Sequence, residues 1–154
     1  MTIGSPPEQQ TKATVLIADD ESSMRLLVHA TIQSNDYQVV EATDGIEAWT
    51  MIQEYKPSLV LLDIQMPGRN GLEVLKLIKS DPSLKATRVI LLTAKALASD
   101  VEIGMRAGAD LYLTKPFSPL ELLTRVDEAL NRWRTMQQPV RSSPARLAST
   151  DLVA

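Results

Sequence analysis

Short apolar runs alternate with longer amphipathic stretches through the middle of the chain. The runs are rich in β-branched residues and predict five strands, at about 14–19, 37–41, 58–63, 88–93 and 110–114. Apolar residues at helical spacing follow each strand and predict five helices. Their expected starts lie near Ser22, Gly45, Gly71, Ser99 and Ser118, and the last helix is expected to end near Trp133.

The alternation of strands and helices predicts an α/β protein, in which helices cover both faces of a parallel sheet. Right-handed crossovers leave few topologies, and we predict a flavodoxin-like, doubly wound (βα)5 fold with strand order 2-1-3-4-5. Asn70 is expected to cap the third helix. The buried side of the second helix is predicted to contain Ile46, Ala48, Trp49 and Ile52.

Both ends of the chain differ in composition from this central part. Residues 1–11 include Gly4, Ser5, Pro6 and Pro7 and predict a disordered leader. Residues 12–134 contain the whole α/β pattern and are expected to form one domain. Residues 135–154 are rich in Gln, Pro, Ser and Arg, which predicts a flexible tail or the stub of a linker.

Polar residues of a particular kind follow four of the apolar runs. Asp19 and Asp20 follow the first run, Asp63 the third, Thr93 the fourth and Lys115 the fifth. The carboxyl ends of parallel strands meet at one edge of the sheet, which is where such sheets bind ligands. Three carboxylates, a hydroxyl and an ammonium group would then share one pocket. We interpret this set as a metal-assisted phosphorylation site with Asp63 as the acceptor.

Each residue type suits one part of that chemistry. The carboxylates of Asp19, Asp20 and Asp63 are hard oxygen ligands for Mg²⁺, with Mn²⁺ as an alternative, and the ion would offset repulsion between Asp63 and a phosphoryl group. Lys115 adds a compact positive charge, and Thr93 is a short donor to a phosphoryl oxygen. Singly, an acid after a strand often caps a helix, a Thr there is usually structural, and a Lys-Pro pair is commonly a turn. Their joint occurrence favours a site.

Composition narrows the classes of function. The 154 residues carry a net charge of −3 with a pI near 5.2, which argues against a dedicated nucleic-acid binder. The chain has no cysteine, which excludes disulfides and thiol chemistry. No apolar run approaches the length of a membrane span. We therefore expect a cytoplasmic protein without membrane or direct nucleic-acid contacts.

The motifs at these strand ends resemble those of response-regulator receiver domains, the CheY-like family of two-component signalling. The resemblance covers 13–134 and is carried by Ala18-Asp19-Asp20-Glu21, Asp63-Ile64-Gln65-Met66-Pro67-Gly68, Leu92-Thr93-Ala94, and Gly108-Ala109-Asp110 through Thr114-Lys115-Pro116-Phe117. It implies that Asp63 accepts a phosphoryl group from a phosphohistidine of a sensor histidine kinase or phosphotransfer protein. It also implies that the backbone carbonyl of Gln65 joins the three acids around Mg²⁺. In the family the corresponding Lys-Pro bond is often cis, and the turn at Lys115-Pro116 is compatible with that.

The resemblance further implies a switch instead of an enzyme, a domain that catalyses only its own phosphorylation and dephosphorylation. Thr93 would bond the phosphoryl group, Tyr112 would rotate inward, and the surface of helix 4, strand 5 and helix 5 would change for a downstream protein that the sequence does not name. In family members that dimerise through this surface, acid–base pairs cross between subunits. Asp110, Glu121 and Arg125 match such positions, although Leu111 replaces a commonly acidic residue. The sequence is compatible with a monomer or a phosphorylation-dependent homodimer.

Alternative functions are less well supported. An Asp-nucleophile phosphohydrolase would place a general acid two residues after its nucleophile, where this chain has Gln65. A nucleotide-binding domain would need a Gly-rich turn where Asp19 and Asp20 stand. A module that only binds protein would not need all five site residues. A receiver cut from a longer protein, which would regulate a missing output domain, stays open beside a receiver that acts alone.

Overall fold

The computed structural model of the protein describes residues 12–34, 36–94 and 98–137. Within them, five parallel strands form one sheet in the order β2-β1-β3-β4-β5, which confirms the predicted topology. The strands are β1 (Ala13–Ala18), β2 (Tyr37–Ala42), β3 (Leu59–Asp63), β4 (Arg88–Thr93) and β5 (Leu111–Thr114). Each predicted strand is present to within one residue at either end, so Asp19 lies just past β1.

Helices connect the strands and follow the last one. They are α1 (Ser22–Ile32), α2 (Gly45–Tyr55), α3 (Gly71–Ser80), α4 (Ala98–Arg106) and α5 (Pro119–Gln137), with a short 3₁₀ turn at Pro82–Leu84. After α4, Gly108 has a φ of 111°, a left-handed conformation that ends the helical path. The last helix runs past the predicted limit at 134, so residues 135–137 are helical and not part of a tail.

Apolar layers cover both faces of the sheet. All five residues of β3 are buried, as expected for a central strand of a parallel sheet. On one face the strands pack against α1 and α5, and the principal helix residues are Val28, Ile32, Leu122, Val126, Ala129 and Leu130. On the other face they pack against α2 and α3, with α4 beside them, and the principal helix residues are Ala48, Ile52, Val74, Leu75 and Ile78. Helices on both faces complete the doubly wound arrangement.

The start of α3 is fixed by a capping box. The Asn70 side chain accepts from the Glu73 backbone N–H at 3.0 Å, and the Glu73 carboxylate accepts from the Asn70 N–H at 2.9 Å. Two N–H groups that the helix itself cannot pair are satisfied in this way. The predicted cap at Asn70 is confirmed. This cap matters for function because the turn before α3 carries the segment that follows Asp63.

The predicted buried side of α2 is correct except at its first turn. Ala48 and Ile52 are fully buried and Trp49 packs partly against the core. Ile46 is 59% exposed, so its assignment to the buried side was wrong. Its side chain extends instead over Gly68, where a Cβ would lie 3.2 Å from Ile46 Cγ1. Ile46 therefore covers the loop that leaves β3.

The predicted leader at 1–11 and the predicted tail beyond Gln137 lie outside the described residues. Within the described part, no helix is both long and apolar enough to cross a bilayer.

Candidate functional site

Three carboxylates meet at the carboxyl edge of β1 and β3. Asp19 is fully buried, Asp63 is 5% exposed, and Asp20 is open to solvent. One carboxylate oxygen from each residue lies within 4.8 Å of those of the other two. Two of these acids are thus withdrawn from water, while the third faces it. The arrangement leaves one open side through which an ion or a phosphoryl group can enter.

The Asp19 carboxylate is only partly satisfied by the protein. Its Oδ1 accepts from the Glu21 backbone N–H at 3.0 Å. Its Oδ2 lies 2.8 Å from Lys115 Nζ, yet among the described residues it has no partner that meets hydrogen-bond geometry. Lys115 compensates the charge of this oxygen, and the oxygen keeps lone pairs with which it can bind a second cation. The donor set, three carboxylates with one open side, fits a small hard cation such as Mg²⁺.

Lys115 is the positive centre of the site. It follows β5, its bond to Pro116 is cis, and its side chain is 12% exposed. Beyond Asp19, its Nζ lies 3.4 Å from Asp63 Oδ2 and 3.3 Å from Glu21 Oε1. Burial by itself would lower the pKa of Lys115, but the close contact of its ammonium group with the Asp19 carboxylate and the charge of Asp63 outweigh burial and raise that pKa. Lys115 is therefore a permanent cation here.

The surroundings of Asp63 disfavour its ionised form. Burial first, and then the negative charge of Asp19, raise the pKa of Asp63 from 3.8 to about 7. Lys115 and the Gln65 N–H, which donates to Asp63 Oδ1 at 3.3 Å, act in the opposite direction. A second cation among the acids would remove part of this cost. Without a second cation, Asp63 is only partly ionised at neutral pH.

The loop after Asp63 is held by backbone contacts to both neighbouring helices. The Gly71 N–H donates to Ile64 O at 2.8 Å, and the Gly45 N–H donates to Pro67 O at 3.2 Å. A Cβ at Gly71 would meet Asp63 O at 2.2 Å, and one at Gly45 would meet the Arg69 backbone at a still closer approach. Both glycines stand at the predicted starts of their helices, and their close packing against the loop was not predicted. The pairs Asp44-Gly45 and Asn70-Gly71 were the available signal of close backbone packing.

Thr93 is buried, whereas Tyr112 is exposed. Thr93 is 4% exposed and follows Leu92, the register partner of Asp63, so it lies at the same sheet edge as the acids. Tyr112 is 46% exposed and points away from the core. It helps to line a pocket of about 430 Å³ between α4, β5 and α5, together with Met105, Leu111, Leu113, Thr114, Glu121, Arg125 and Glu128.

The three residues predicted for a dimer face have partners within the chain. Asp110 accepts from the Val89 N–H at 2.9 Å and lies 3.9 Å from Lys79, on the side of β4 and α3. The Glu121 carboxylate accepts from the Ser118 N–H, and Ser118 Oγ accepts from the Glu121 N–H, so that the pair caps the start of α5. Arg125 pairs with Glu128 at 2.8 Å. Glu121 and Arg125 line the α4-β5-α5 pocket, whereas Asp110 is directed elsewhere, so a dimer through these residues would exchange existing contacts for new ones.

The profile of the response regulator receiver domain family matches residues 15–127. That stretch contains every strand but the first residues of β1, and all the acids of the site. The chain belongs to this family. Receiver domains serve two-component signalling, in which histidine kinases are their partners, and they act as signalling domains more than as enzymes.

Individual relatives agree with this assignment. The chain is 36% identical over 118 residues to the DNA-binding response regulator MtrA of Mycobacterium leprae. The aligned stretch covers 77% of this chain and 51% of MtrA. It thus spans about half the length of the curated relatives that it matches. Among solved structures, CheY4 of Vibrio cholerae superposes with a TM-score of 0.72 at 32% identity, over 77% of this chain and 99% of CheY4. A CheX–CheY–BeF3–Mg²⁺ complex from Borrelia burgdorferi gives 0.71 at 26% identity, over 80% of this chain and 93% of that one.

Proposed function

We propose that the domain is switched by phosphorylation of Asp63, with a phosphohistidine of a sensor kinase or phosphotransfer protein as the donor. The observation that carries the proposal is the cluster of Asp19, Asp20 and Asp63 around one open side, with Lys115 in contact with two of them. The alternative phosphohydrolase would need a general acid at Gln65, which is an exposed amide.

The residues divide the reaction among them. An ionised Asp63 oxygen attacks phosphorus, a P–O bond forms, the P–N bond to the donor imidazole breaks, and the leaving nitrogen keeps the electron pair and takes a proton from water. Lys115 faces the growing negative charge on the acyl phosphate. Thr93 would donate its hydroxyl to a phosphoryl oxygen. Asp19, Asp20, Asp63 and the Gln65 carbonyl would hold Mg²⁺, which supplies charge neutralisation for the approach of two anions.

The phosphoryl group then becomes a signal through local electrostatics. It adds about −1.5 to −2 charges beside Thr93 and Lys115. If Thr93 moves toward it, the space left beside β5 can accept the Tyr112 ring, which now points outward. The surface formed by α4, β5 and α5 would change with it, and a downstream protein or a second subunit would read that change. Monomer and phosphorylation-dependent homodimer are both compatible with this scheme.

Incubation with acetyl phosphate and Mg²⁺, followed by intact mass spectrometry, tests the acceptor. The wild-type chain should gain the mass of one phosphoryl group, and Asp63→Asn should gain none. Asp127→Asn, which removes an exposed carboxylate on α5, is the matched control and should behave as wild type. Retained labelling of Asp63→Asn would exclude Asp63 as the acceptor. Catalytic release of phosphate from p-nitrophenyl phosphate, without a stable adduct, would instead support the phosphohydrolase.

A further inference from the structure

A side chain outside the acid cluster holds the backbone of the most buried acid. Arg25, on α1, is 16% exposed, and its Nη1 donates to the main-chain carbonyl of Asp19 at 2.8 Å. The same guanidinium donates from Nε to Glu41 Oε1 at 3.3 Å. A planar guanidinium presents several donors in a fixed geometry, so two acceptors on different elements can be held at once. Arg25 therefore links α1, the end of β1 and β2.

Glu41 is itself held on its other oxygen. His29, one helical turn after Arg25, places Nδ1 2.9 Å from Glu41 Oε2. Glu41 belongs to β2 and stands opposite Ile17 in the sheet register, two residues before Asp19. The anchor for Arg25 is thus a side chain of the sheet, with both oxygens engaged from α1. This leaves the guanidinium little freedom to turn away from Asp19.

Both polar main-chain groups of Asp19, its N–H and its carbonyl, are hydrogen-bonded. Its N–H donates to Ala42 O at 3.1 Å, and its carbonyl accepts from Arg25. The next residue along the chain is Asp20, which lies beyond the end of β1. Strand pairing therefore does not orient its exposed side chain. The directions of the Asp19 and Asp20 carboxylates both depend on the plane of the peptide that joins the two residues. A rotation there would move two of the three oxygens around the open side.

We propose that Arg25 is a positioning residue for metal binding, which fixes the Asp19–Asp20 peptide so that both carboxylates converge with Asp63. The inference rests on the proposed function and adds a residue to it. Groups that orient metal ligands from outside typically alter affinity by about 10- to 100-fold when lost. Arg25 acts through the backbone, so we expect the lower end of that range. If the Arg25–Glu41 pair only joined α1 to β2, its loss would lower stability without a specific effect on the ion.

The test measures Mg²⁺ affinity directly, by an NMR titration of backbone amides with MgCl₂. Arg25→Ala should bind Mg²⁺ about tenfold more weakly than wild type. Arg106→Ala, which removes an exposed arginine paired with Glu102 on α4, should not change it. Val126→Ala, a cavity in the core beneath α5, should lower stability and leave affinity unchanged. Arg25→Lys keeps a charge but not the two-acceptor fork, and should weaken binding several-fold even if the alanine variant folds poorly.

A second readout separates positioning from general damage. With acetyl phosphate as donor, Arg25→Ala should be phosphorylated slowly at low Mg²⁺ and at nearly the wild-type rate when Mg²⁺ saturates. Wild-type affinity in both Arg25 variants, or equal weakening in Val126→Ala, would overturn the inference and leave the proposed function intact. Absence of Mg²⁺ binding and of phosphorylation in the wild-type chain would overturn the proposed function itself.

Discussion

Charge repulsion and burial in the ionised acid cluster should lower the free energy of unfolding of the metal-free protein. The substitution Asp63→Asn should raise that free energy again. Asn is nearly the same size as Asp and can still accept from the Gln65 N–H, but it carries no charge. Lys115 would keep its contact with Asp19 at 2.8 Å. The substitution therefore removes one buried negative charge while the packing around it is largely kept. It gives a direct measure of the electrostatic cost of the site.

The size of the effect follows from the pKa of Asp63, which is raised from 3.8 to about 7, first by burial. A carboxyl with a raised folded-state pKa binds more protons in the folded state, so stability falls as pH rises between these two values. The cost is absent below pH 3.8 and complete above pH 7. It amounts to about 2 kcal/mol at pH 5 and about 4 kcal/mol at pH 8. Those figures are the expected stabilisation by Asp63→Asn.

Urea unfolding in the presence of a chelator measures this difference, with fluorescence of the two tryptophans as the signal. At about 1–3 kcal/mol per molar urea, the midpoint of Asp63→Asn at pH 8 should lie about 1–4 M above wild type, and the gap should shrink at pH 5. Asp127→Asn should show no such gap at either pH. Saturating Mg²⁺ should stabilise wild type by about 3 kcal/mol at a hundredfold excess over its dissociation constant, and the variant by less.

Equal stability of wild type and Asp63→Asn at pH 8 would refute the reasoning, since no charge cost would then exist. A gap that is the same at pH 5 and pH 8 would also refute it. In that case the gain would come from packing or hydrogen bonding, and the titration of Asp63 would play no part.

Two further predictions concern the loop and the output surface. Gly71→Ala should destabilise the protein by about 1–3 kcal/mol in urea unfolding, because its Cβ would meet the rigid backbone oxygen of Asp63. Gly104→Ala should cost less, because its Cβ would meet side-chain atoms of Leu91 and Leu72 and no backbone atom of another segment. For the dimer, beryllofluoride with Mg²⁺ should raise the mass found by light scattering, and Arg125→Glu should reduce that rise; an unchanged monomer mass would contradict dimerisation through this face.

The topology and the meeting of the acids were predictable because both depend on chain periodicity. Apolar runs of strand length separated by helical spacing determine a parallel sheet, and such a sheet brings Asp19, Asp63 and Lys115 to one edge whatever the details of packing. The Asn70 cap was predictable for a similar reason, since its capping box spans only four residues. Strand ends were within one residue because the buried runs end at charged or turn residues.

What the sequence did not reveal depends on contacts between distant segments. The orientation of Arg25 requires Glu41, sixteen residues away, and no periodicity links the two. Ile46 was assigned to the core because its spacing fits α2, but the first turn of that helix faces the Gly68 loop and not the sheet. The end of α5 was placed too early because a polar helix surface resembles a polar tail in composition. Asp110 was grouped with Glu121 and Arg125, yet its side chain turns toward α3.

The acid cluster and the scaffold around it have opposite energetic roles. Burial and the charge of Asp19 raise the pKa of the Asp63 carboxyl, so the ionised cluster lowers stability in the metal-free state. The surrounding backbone, fixed by Arg25 on one side and by Gly45 and Gly71 on the other, prevents the acids from relaxing apart. A flexible site would lower that cost by rotation and would lose affinity for a cation and a phosphoryl group in doing so. Under the proposed function, loops that hold the acids in place would allow part of this electrostatic cost to be recovered when a cation and a phosphoryl group bind.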